Sequence, residues 1–404
     1  MNIALLTEKY TPDIGGLAIS SERFARSLSS AGHAHAVRVF SPTFSLPPSE
    51  IQTLTPNGVN ITRFGASKRV DDTLVDWFEM IVEEHKRDPF DVLHAYFLAR
   101  AGFVATYAGK YLNVPSVISI RGNDIERAAF DPSRFSHVMY ALQNASAVTT
   151  NATELAKKAK AFVDKEIHLI PNGIDTNLFK PLDKNVALAE TLYITHNVIP
   201  NKTRNLTSNR EDSSVASLLQ SDMVPVIGFV GELRKKKGLA TLLSAYTQAN
   251  KVHPIALLIV GEVRQGEDKK MFDDFRLSNP DAQIIVTGYV SPKDLPTYYS
   301  LIDVLVHPSL RDGMPNAVLE AMACEKAIIA TPVGGIKDIL EDGKNGVIVN
   351  VNDVNTLAEK ILELLDDSEK RSKLGKNARE LVVNNFTLEK ELEANLNVYR
   401  TLGL

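Results

Sequence analysis

The sequence predicts an α/β protein with two doubly wound, Rossmann-like domains, and three observations support this fold class. The chain has 404 residues, which is more than one compact core usually contains. Short apolar runs alternate with amphipathic stretches along almost the whole chain, a pattern typical of parallel strands joined by helices. The alternation fades in a polar segment near the middle and then resumes, which indicates two domains.

The same scheme of elements is predicted in both halves. In the first half we expect strands at 3–7, 36–40, 92–94, 117–120, 148–150 and 167–170, and helices at 20–30, 72–87 and 134–144. In the second half we expect strands at 226–230, 256–260, 284–287, 304–306, 327–330 and 347–349, and helices at 354–365, 369–384 and 388–399.

The boundary between the halves is a stretch rich in Asn, Thr, Ser and charge. Such a stretch buries too little apolar surface to offset the entropy lost on ordering it. We therefore expect a first domain at 1–180, a polar linker or insertion at 181–222 with a short helix near 186–193, and a second domain at 223–385. A C-terminal helix at 386–404 is expected to pack on the first domain.

The composition excludes several classes of protein. A formal net charge of -4 does not favour binding to nucleic acid. The single cysteine, Cys324, excludes an internal disulfide and a cysteine-based metal site, and its apolar neighbours indicate a buried thiol. No signal peptide is recognised, and no apolar run approaches the roughly 20 residues that span a bilayer. We expect a cytoplasmic protein, either free or peripheral on the inner face of the membrane.

Loops that follow predicted strands are the candidate ligand contacts, because ligands of open parallel sheets bind at the carboxyl ends of the strands. The first such loop contains Gly15 and Gly16, whose backbone can approach a phosphate at the start of a helix. An ordinary glycine turn is the alternative. The second loop contains four consecutive cations at 234–237, and Arg234 and Lys237 are the candidates for binding a diphosphate. A solvated charge run is the alternative there.

The third loop begins at the end of a predicted strand and enters a helix near Asn316. Asp312 lies in this loop and Glu320 about one turn inside the helix. A carboxylate can bind two neighbouring hydroxyls through its two oxygens, so both side chains are candidate contacts for a ribose or a sugar. Two alternatives remain open. Glu320 can instead stabilise the helix N-terminus, or the pair can act as the two carboxylates of a glycoside hydrolase.

Further strand ends complete the set of candidates. His94 ends a strand and is either a ligand contact or a core histidine. Arg121 follows another strand and can bind an anionic acceptor. The loop at 331–335 carries Gly334 and Gly335, which can hold phosphate oxygens. The candidates for the acceptor side are Tyr96, Arg121, Asn123, Asp124 and Asn151.

Taken in chain order, these loops resemble the family-four retaining glycosyltransferases of GT-B fold over nearly the whole chain. The resemblance rests on Gly15-Gly16, the strand end at His94, Pro171-Asn172-Gly173-Ile174-Asp175 with Phe179 and Pro181, Val230-Gly231 with Lys237-Gly238, Gly288-Tyr289-Val290, His307-Pro308-Ser309, Leu319-Glu320-Ala321-Met322-Ala323 and Thr331-Pro332-Val333-Gly334-Gly335. Each motif is weak alone, whereas the ordered set is specific.

The resemblance implies two domains that face each other across a cleft. It implies a retaining transferase of the hexosyltransferase class that needs no bound metal and no cofactor besides its donor. The donor would be a nucleotide sugar, with a UDP- or GDP-sugar favoured, and the acceptor a sugar, a lipid-linked molecule or a small molecule. The sequence has no Asp-x-Asp triplet, the metal clamp of the other main glycosyltransferase fold.

The resemblance also implies residue roles. Glu320 would hold the donor ribose, Lys237 the diphosphate, and His94 would face the transferred sugar. The implied catalytic set is His94, Asp312, Glu320, Arg234 and Lys237. The implied donor contacts are Gly15, Gly16, Gly231, Tyr289, Val290, Gly313, Met314, Pro315, Asn316, Glu320, Gly334 and Gly335.

Three positions depart from the family pattern. Asp312 occupies the first position of a spaced glutamate pair, Glu232 stands where the family usually has an arginine, and Tyr96 replaces a second histidine. We expect these departures to affect the donor sugar more than the type of reaction. Two other functions are kept as alternatives, a GT-B nucleotide-sugar epimerase and a protein that binds nucleotide sugars without turning them over.

Overall fold

The computed structural model describes residues 1–13, 15–30, 36–192, 194 and 224–404. These residues form two compact units, the first comprising Met1–Gly173 with Phe386–Leu404 and the second Ile174–Asn385. Most of the linker predicted at 181–222 lies outside the described residues.

A sheet of eight strands forms the centre of the first unit. In chain order the strands are β1 (Asn2–Leu6), β2 (Ala36–Thr43), β3 (Ile51–Leu54), β4 (Asn60–Gly65), β5 (Val92–Ala95), β6 (Ser116–Ile120), β7 (Ala147–Thr150) and β8 (Ile167–Leu169). They lie in the order β3-β4-β2-β1-β5-β6-β7-β8, and the neighbours are parallel except for β3 with β4. The strand order reverses beside β1, so the sheet is doubly wound.

Helices of the first unit cover both faces of this sheet. They are α1 (Gly16–Ser30), α2 (Val70–Arg87), α3 (Arg100–Leu112), α4 (Asn123–Glu126), α5 (Pro132–Asn144) and α6 (Thr153–Lys160). Apolar residues of α2, α3 and α5 form one core with the sheet, and residues of α1 contribute to a second core.

The strands β3 and β4 are absent from the sequence prediction, which was wrong at this edge of the sheet. All four residues of β3 are exposed. In β4, Arg63 is buried because its guanidinium pairs with Asp13 at 2.7 Å. Neither strand therefore has the continuous apolar run on which the other strand predictions rest.

The second unit is built on a six-stranded parallel sheet. Its strands are β9 (Val226–Val230), β10 (Ala256–Val260), β11 (Ile284–Val286), β12 (Val304–His307), β13 (Ala327–Ala330) and β14 (Val347–Ile348), in the order β11-β10-β9-β12-β13-β14. Its helices are α7 (Val186–Thr191), α8 (Leu239–Asn250), α9 (Glu267–Ser278), α10 (Leu295–Leu301), α11 (Asn316–Ala323), α12 (Ile336–Ile339), α13 (Val354–Asp366) and α14 (Ser368–Asn385).

Burial explains why these residues form these elements. Every residue of β9, β10 and β13 is buried, as expected for parallel strands covered on both faces. Helix α13 buries Leu357, Ile361 and Leu364 at helical spacing, and it begins after Asp353, whose carboxylate accepts the N–H of Thr356 at 3.0 Å. The predicted fold class is confirmed. Within the described ranges, no helix combines the length and apolarity required to cross a membrane.

The last helix, α15 (Leu388–Thr401), follows the second unit in the chain but belongs to the first. Its Leu396, Val398 and Tyr399 lie in the core that also contains residues of β1 and α1. The helix therefore completes one face of the eight-stranded sheet.

Near the start of α15, a buried carboxylate joins three parts of the first unit. Glu391 pairs with Arg23 of α1 at 3.3 Å and with Arg121, which follows β6, at 3.7 Å. It also accepts the backbone N–H of Gly173 at 2.9 Å. Removing this carboxylate would leave two largely buried guanidinium groups without their counter-charge.

We expect Glu391→Ala to lower the stability of the first unit by about 3–5 kcal/mol, because breaking a buried ion pair leaves a desolvated charge. In a domain of this size that loss lowers the melting temperature by at least about 6 °C. The measurement is thermal unfolding followed by circular dichroism. Glu393→Ala is the matched control, since Glu393 lies on the same helix but pairs with Arg400 at the surface. Equal melting temperatures for the two variants would contradict this account of Glu391.

Candidate functional site

Strands β9 and β12 of the second unit are neighbours at the point where the strand order of the sheet reverses. The chain places β10 and β11 on one side of β9 and then returns to place β12 on the other side. The pairing of β9 with β12 stops at Gly228 and Leu305, before either strand ends. Such a point leaves a crevice at the carboxyl ends of the strands, where doubly wound sheets bind ligands. The bordering loops, 231–238 and 308–315, are two of the loops that the sequence singles out.

Backbone contacts hold these two loops against each other. The N–H of Leu310 donates to the carbonyl oxygen of Lys236 at 2.9 Å. Gly238 has a φ of +80°, and a Cβ at this position would overlap the carbonyl oxygen of Pro308. Glycine is therefore required at 238 both for its conformation and for the close approach of the loops.

An ion pair joins the same two loops. The ammonium of Lys237 contacts Oδ2 of Asp312, which also lies 3.0 Å from Nε2 of His307. The other carboxylate oxygen of Asp312 accepts the N–H of Gly313 at 3.0 Å. The loop after β9 thus carries a cation whose position is set by the loop after β12.

Burial and charge determine the protonation of this cluster. Burial alone would raise the pKa of Asp312, but the Lys237 ammonium and the His307 contact outweigh it and hold that pKa well below its usual range. Burial lowers the pKa of His307, against the opposing effect of Asp312, and the charge of Lys237 lowers it further. At neutral pH, Asp312 is therefore ionised and His307 neutral. The imidazole proton is assigned to Nε2, since an ionised carboxylate can only accept.

A second cation of the loop after β9 lies beside an acid. Nη1 of Arg234 is 3.1 Å from Oε2 of Glu232, and the carboxylate side chain is half exposed. Nε of Arg234 is buried and has no acceptor in the described part of the chain. Glu232, one of the three positions at which the sequence departs from the family pattern, therefore contacts Arg234 of the same loop.

Glu320 occupies the second turn of α11. Its Oε2 lies 2.9 Å from the hydroxyl of Tyr299, a fully buried residue of α10. The candidate contacts Met314 and Pro315 are buried just before this helix, which begins at Asn316. The unpaired N–H groups of a helix N-terminus favour an anion.

The predicted glycine loop at 331–335 contacts the loop after β12. The N–H of Gly335 donates to the carbonyl oxygen of Gly313 at 2.6 Å. Gly334 has a φ of +55°, and a Cβ there would overlap the carbonyl oxygen of Asp312. The structure thus brings these two loops together.

The remaining donor candidates of the second unit lie along the same edge of the sheet. Gly231 follows β9 with a φ of +122°, and the space that a Cβ would occupy is open. Tyr289 and Val290 follow β11, and Tyr289 is 56% exposed. This edge therefore presents cations, glycine backbone and helix N-termini, which are groups that bind phosphates. In the described ranges, no group of three or more His, Cys, Asp or Glu residues is arranged to hold a metal ion.

His94 of the first unit is fully buried. Its Nδ1 lies 2.6 Å from the hydroxyl of Tyr399 and its Nε2 2.8 Å from Oγ of Ser119. Burial, with a contribution from the charge of Arg121, lowers the pKa of His94 to about 3. This geometry favours the core-histidine interpretation, in which a neutral imidazole joins β5, β6 and α15. The direct sugar contact stays a prediction.

Tyr96 and Arg121 of the acceptor side lie together. The guanidinium of Arg121 stacks over the Tyr96 ring at 4.1 Å and donates to Oδ1 of Asn172 at 2.9 Å. Asn151 donates to the same Asn172 oxygen at 3.1 Å. With Glu391 also beside it, Arg121 is engaged within the first unit, so binding an anionic acceptor would require it to exchange partners.

Asp124 has a different environment. Its carboxylate accepts the backbone N–H groups of Leu98, Arg121 and Ile125, and burial raises its pKa to about 6. It therefore ties the loop after β5 to the loop after β6. Asn123 begins α4, and its side chain lies outside the described part of the structure.

Gly15 and Gly16 lie at the start of α1. Gly15 has a φ of +132°, and the space beside both glycines is open. Both glycines therefore lie at a helix N-terminus, as the sequence predicts, and the phosphate contact stays a prediction.

Tyr299 and Glu391 are among the residues that touch the candidates and that sequence reasoning misses. Tyr299 lies in a buried helix directly before β12, and a buried tyrosine hydroxyl requires a hydrogen-bond partner. That requirement is a signal in the sequence, but it does not identify the partner. Glu391 gives no comparable signal, because it lies in a helix with many charged residues.

Comparison with known families gives two matches. Residues 14–178 match the description Glycosyltransferase Family 4, and residues 211–381 match Glycosyl transferases group 1. A glycosyltransferase of Methanocaldococcus jannaschii is 23% identical over 97% of this chain and 96% of its own length. The N-acetyl-alpha-D-glucosaminyl L-malate synthase of Bacillus anthracis is 21% identical over 96% of this chain and 94% of its own.

Solved structures share the fold. A sucrose-phosphate synthase from Thermosynechococcus elongatus superposes with a TM-score of 0.77 at 21% identity, covering 99% of this chain and 98% of its own. Anabaena HepE in complex with UDP-glucose has a TM-score of 0.77 at 19% identity, covering 100% of this chain and 99% of its own. Both likenesses extend over the whole of the two units.

We expect Gly238→Ala to destabilise the second unit more than Gly343→Ala does. Both glycines have a similar positive φ, of +80° and +71°, but only the new Cβ at 238 meets a carbonyl oxygen. The shared strain is about 1–2 kcal/mol, and overpacking adds about 1–3 kcal/mol at 238. Thermal unfolding should show an extra loss of at least about 2 °C for Gly238→Ala. Indistinguishable melting curves would mean that the two loops are not in contact.

Proposed function

Since the chain belongs to the family-four glycosyltransferases of GT-B fold, we propose that it transfers a hexose from a nucleotide sugar with retention of configuration. The bond between the anomeric carbon and the phosphate oxygen breaks, and its electron pair stays on the departing diphosphate. The acceptor oxygen bonds to the same face of the anomeric carbon. Its proton passes to the departing phosphate, so no covalent nucleophile of the chain is required.

The observation that carries this proposal is the Lys237–Asp312 ion pair at the crevice of the second sheet. Negative charge grows on the diphosphate as it leaves, and a cation already fixed in place stabilises that charge without reorganisation. Asp312 contacts both Lys237 and His307, and the role proposed for it here is to hold the Lys237 ammonium in place. Arg234 and the N-terminal N–H groups of α11 are the further groups assigned to the phosphates.

The phosphate charge is met in this proposal by Lys237, Arg234 and backbone N–H groups, and no metal ion is involved. Glu320 would hold the ribose, and the backbone at Tyr289 and Val290 would meet the base. A UDP-sugar is favoured as donor, supported by the fold shared with HepE in its complex with UDP-glucose, and a GDP-sugar is the second candidate. The acceptor is a sugar, a lipid-linked molecule or a small molecule bound by the first unit.

Two other functions are compatible with the same donor site. An epimerase of this fold would release nucleotide without an acceptor. A protein that only binds the donor would release none. The requirement for an acceptor therefore separates the three.

In a panel of UDP-, GDP- and ADP-sugars, we expect nucleoside diphosphate release to depend on a hydroxyl acceptor and to survive EDTA. The measurement is free nucleotide, with and without acceptor, and the configuration of the product by NMR. A donor left intact with every acceptor, or activity that EDTA abolishes and only added metal restores, would contradict the proposal. Rapid release without acceptor would favour the epimerase.

Arg234→Ala is expected to lower the turnover number about three- to tenfold, because a cation on the leaving diphosphate acts more in the transition state than in the ground state. Lys235→Ala is the matched control, since it removes the same charge from an exposed neighbour. Glu232→Arg should leave activity intact or raise it, as it restores the usual family residue. Steady-state kinetics decide the matter. An unchanged turnover number in Arg234→Ala together with an inactive Glu232→Arg would overturn the assignment of Arg234 to the phosphates.

A further inference from the structure

A buried phenol contacts the carboxylate that we assign to the donor ribose. Tyr299 is fully buried on α10, directly before β12. Its hydroxyl lies 2.9 Å from Oε2 of Glu320 and 3.0 Å from the carbonyl oxygen of Ala317. Both acceptors belong to the first two turns of α11, the helix that leaves the crevice.

The packing of Tyr299 fixes the direction of this hydroxyl. Its ring meets the ring of Phe179 edge to face, with centroids 6.1 Å apart and an interplanar angle of 77°. The side chain has no exposed surface, so the ring cannot swing away without opening the core. The hydroxyl is therefore a fixed donor, delivered to one side of α11.

The hydroxyl carries one proton for two acceptors. An ionised carboxylate accepts a stronger hydrogen bond than a neutral carbonyl does, so the contact with Glu320 is the stronger of the two. Burial, followed by the neighbouring Glu320, keeps the pKa of Tyr299 well above its usual value, and the phenol remains a donor throughout the working pH range. A carboxylate has about four acceptor positions, so one bond from a phenol is compatible with further bonds to hydroxyls.

We propose that Tyr299 is a positioning residue for nucleotide binding. Its hydroxyl sets the rotamer of Glu320, so that the Glu320 carboxylate contacts the ribose hydroxyls. The inference rests on the proposed function, because it takes Glu320 as the ribose contact. Tyr299 itself touches neither the nucleotide nor the sugar. A phenylalanine would fill the same space in the core but could not hold the carboxylate.

The test uses nucleotide binding by the full chain, measured by calorimetry, and needs no acceptor. The probes are UDP and 2′,3′-dideoxy-UDP, with the GDP pair measured in parallel. Wild type should prefer the nucleotide that carries both hydroxyls. The ratio of the affinity for UDP to that for 2′,3′-dideoxy-UDP should fall about tenfold in Glu320→Ala and about three- to tenfold in Tyr299→Phe. The double variant should be no worse than Glu320→Ala alone, because Tyr299 acts through Glu320.

Tyr246→Phe is the matched control. Tyr246 is a buried tyrosine of the same unit whose hydroxyl lies 3.4 Å from the carbonyl oxygen of Gln283, away from Glu320. It should keep the wild-type preference, whereas a general loss of packing would affect both tyrosine variants alike. Melting temperatures of the two variants establish that they are folded to a similar degree.

The outcomes separate the inference from the proposal beneath it. If Glu320→Ala loses the preference and Tyr299→Phe keeps it, Tyr299 is a packing residue only and the inference is wrong. If both variants keep the preference, Glu320 does not bind the ribose, and the proposed residue role fails together with the inference. An equal loss of the preference for UDP in Tyr299→Phe and Tyr246→Phe would also overturn the positioning role of Tyr299.

Discussion

The ion pair between Lys237 and Asp312 joins two loops that are 75 residues apart in the chain, and the geometry of the second unit's crevice depends on it. The pair forms because β9 and β12 are neighbours whose pairing stops before the strands end. Around it, His307 is neutral and Asp312 ionised, so the cluster consists of one cation, Lys237, held by one anion. The glycine at 238 allows the loops to approach, and the pair then keeps the cation in one place.

Much of the fold could be predicted because most strands are buried on both faces and read as apolar runs, as β9 and β10 do. The same signal fails at the edge of the first sheet. The residues of β3 are all exposed, and β4 contains Arg63, whose burial depends on a partner distant in the chain. No local pattern predicts such a pair. The segment at 195–223 lies outside the described residues, so the predicted linker stays a prediction.

In the candidate site, too, local sequence patterns predict the positions of residues but not their contacts with distant parts of the chain. Lys237, Asp312 and Gly334 could be predicted because they lie in loops after strands, and parallel topology brings such loops to one edge. Their contacts could not, since they depend on the path of each loop. His94 illustrates the limit, because its place at a strand end is evident while its burial between Ser119 and Tyr399 depends on α15. Tyr299 and Glu391 contact partners that only the folded chain brings close.

The return of α15 to the first unit has a consequence for biosynthesis. Domains generally fold as the chain emerges, with the N-terminal one first. Here the first unit lacks Leu396, Val398 and Tyr399 of its core until every residue of the second unit has been translated. The second unit is continuous in sequence and does not need α15 to complete its fold. The sheet of β1 to β8 therefore keeps part of one face uncovered until α15 has been made, so the first unit to be made is the last to be finished.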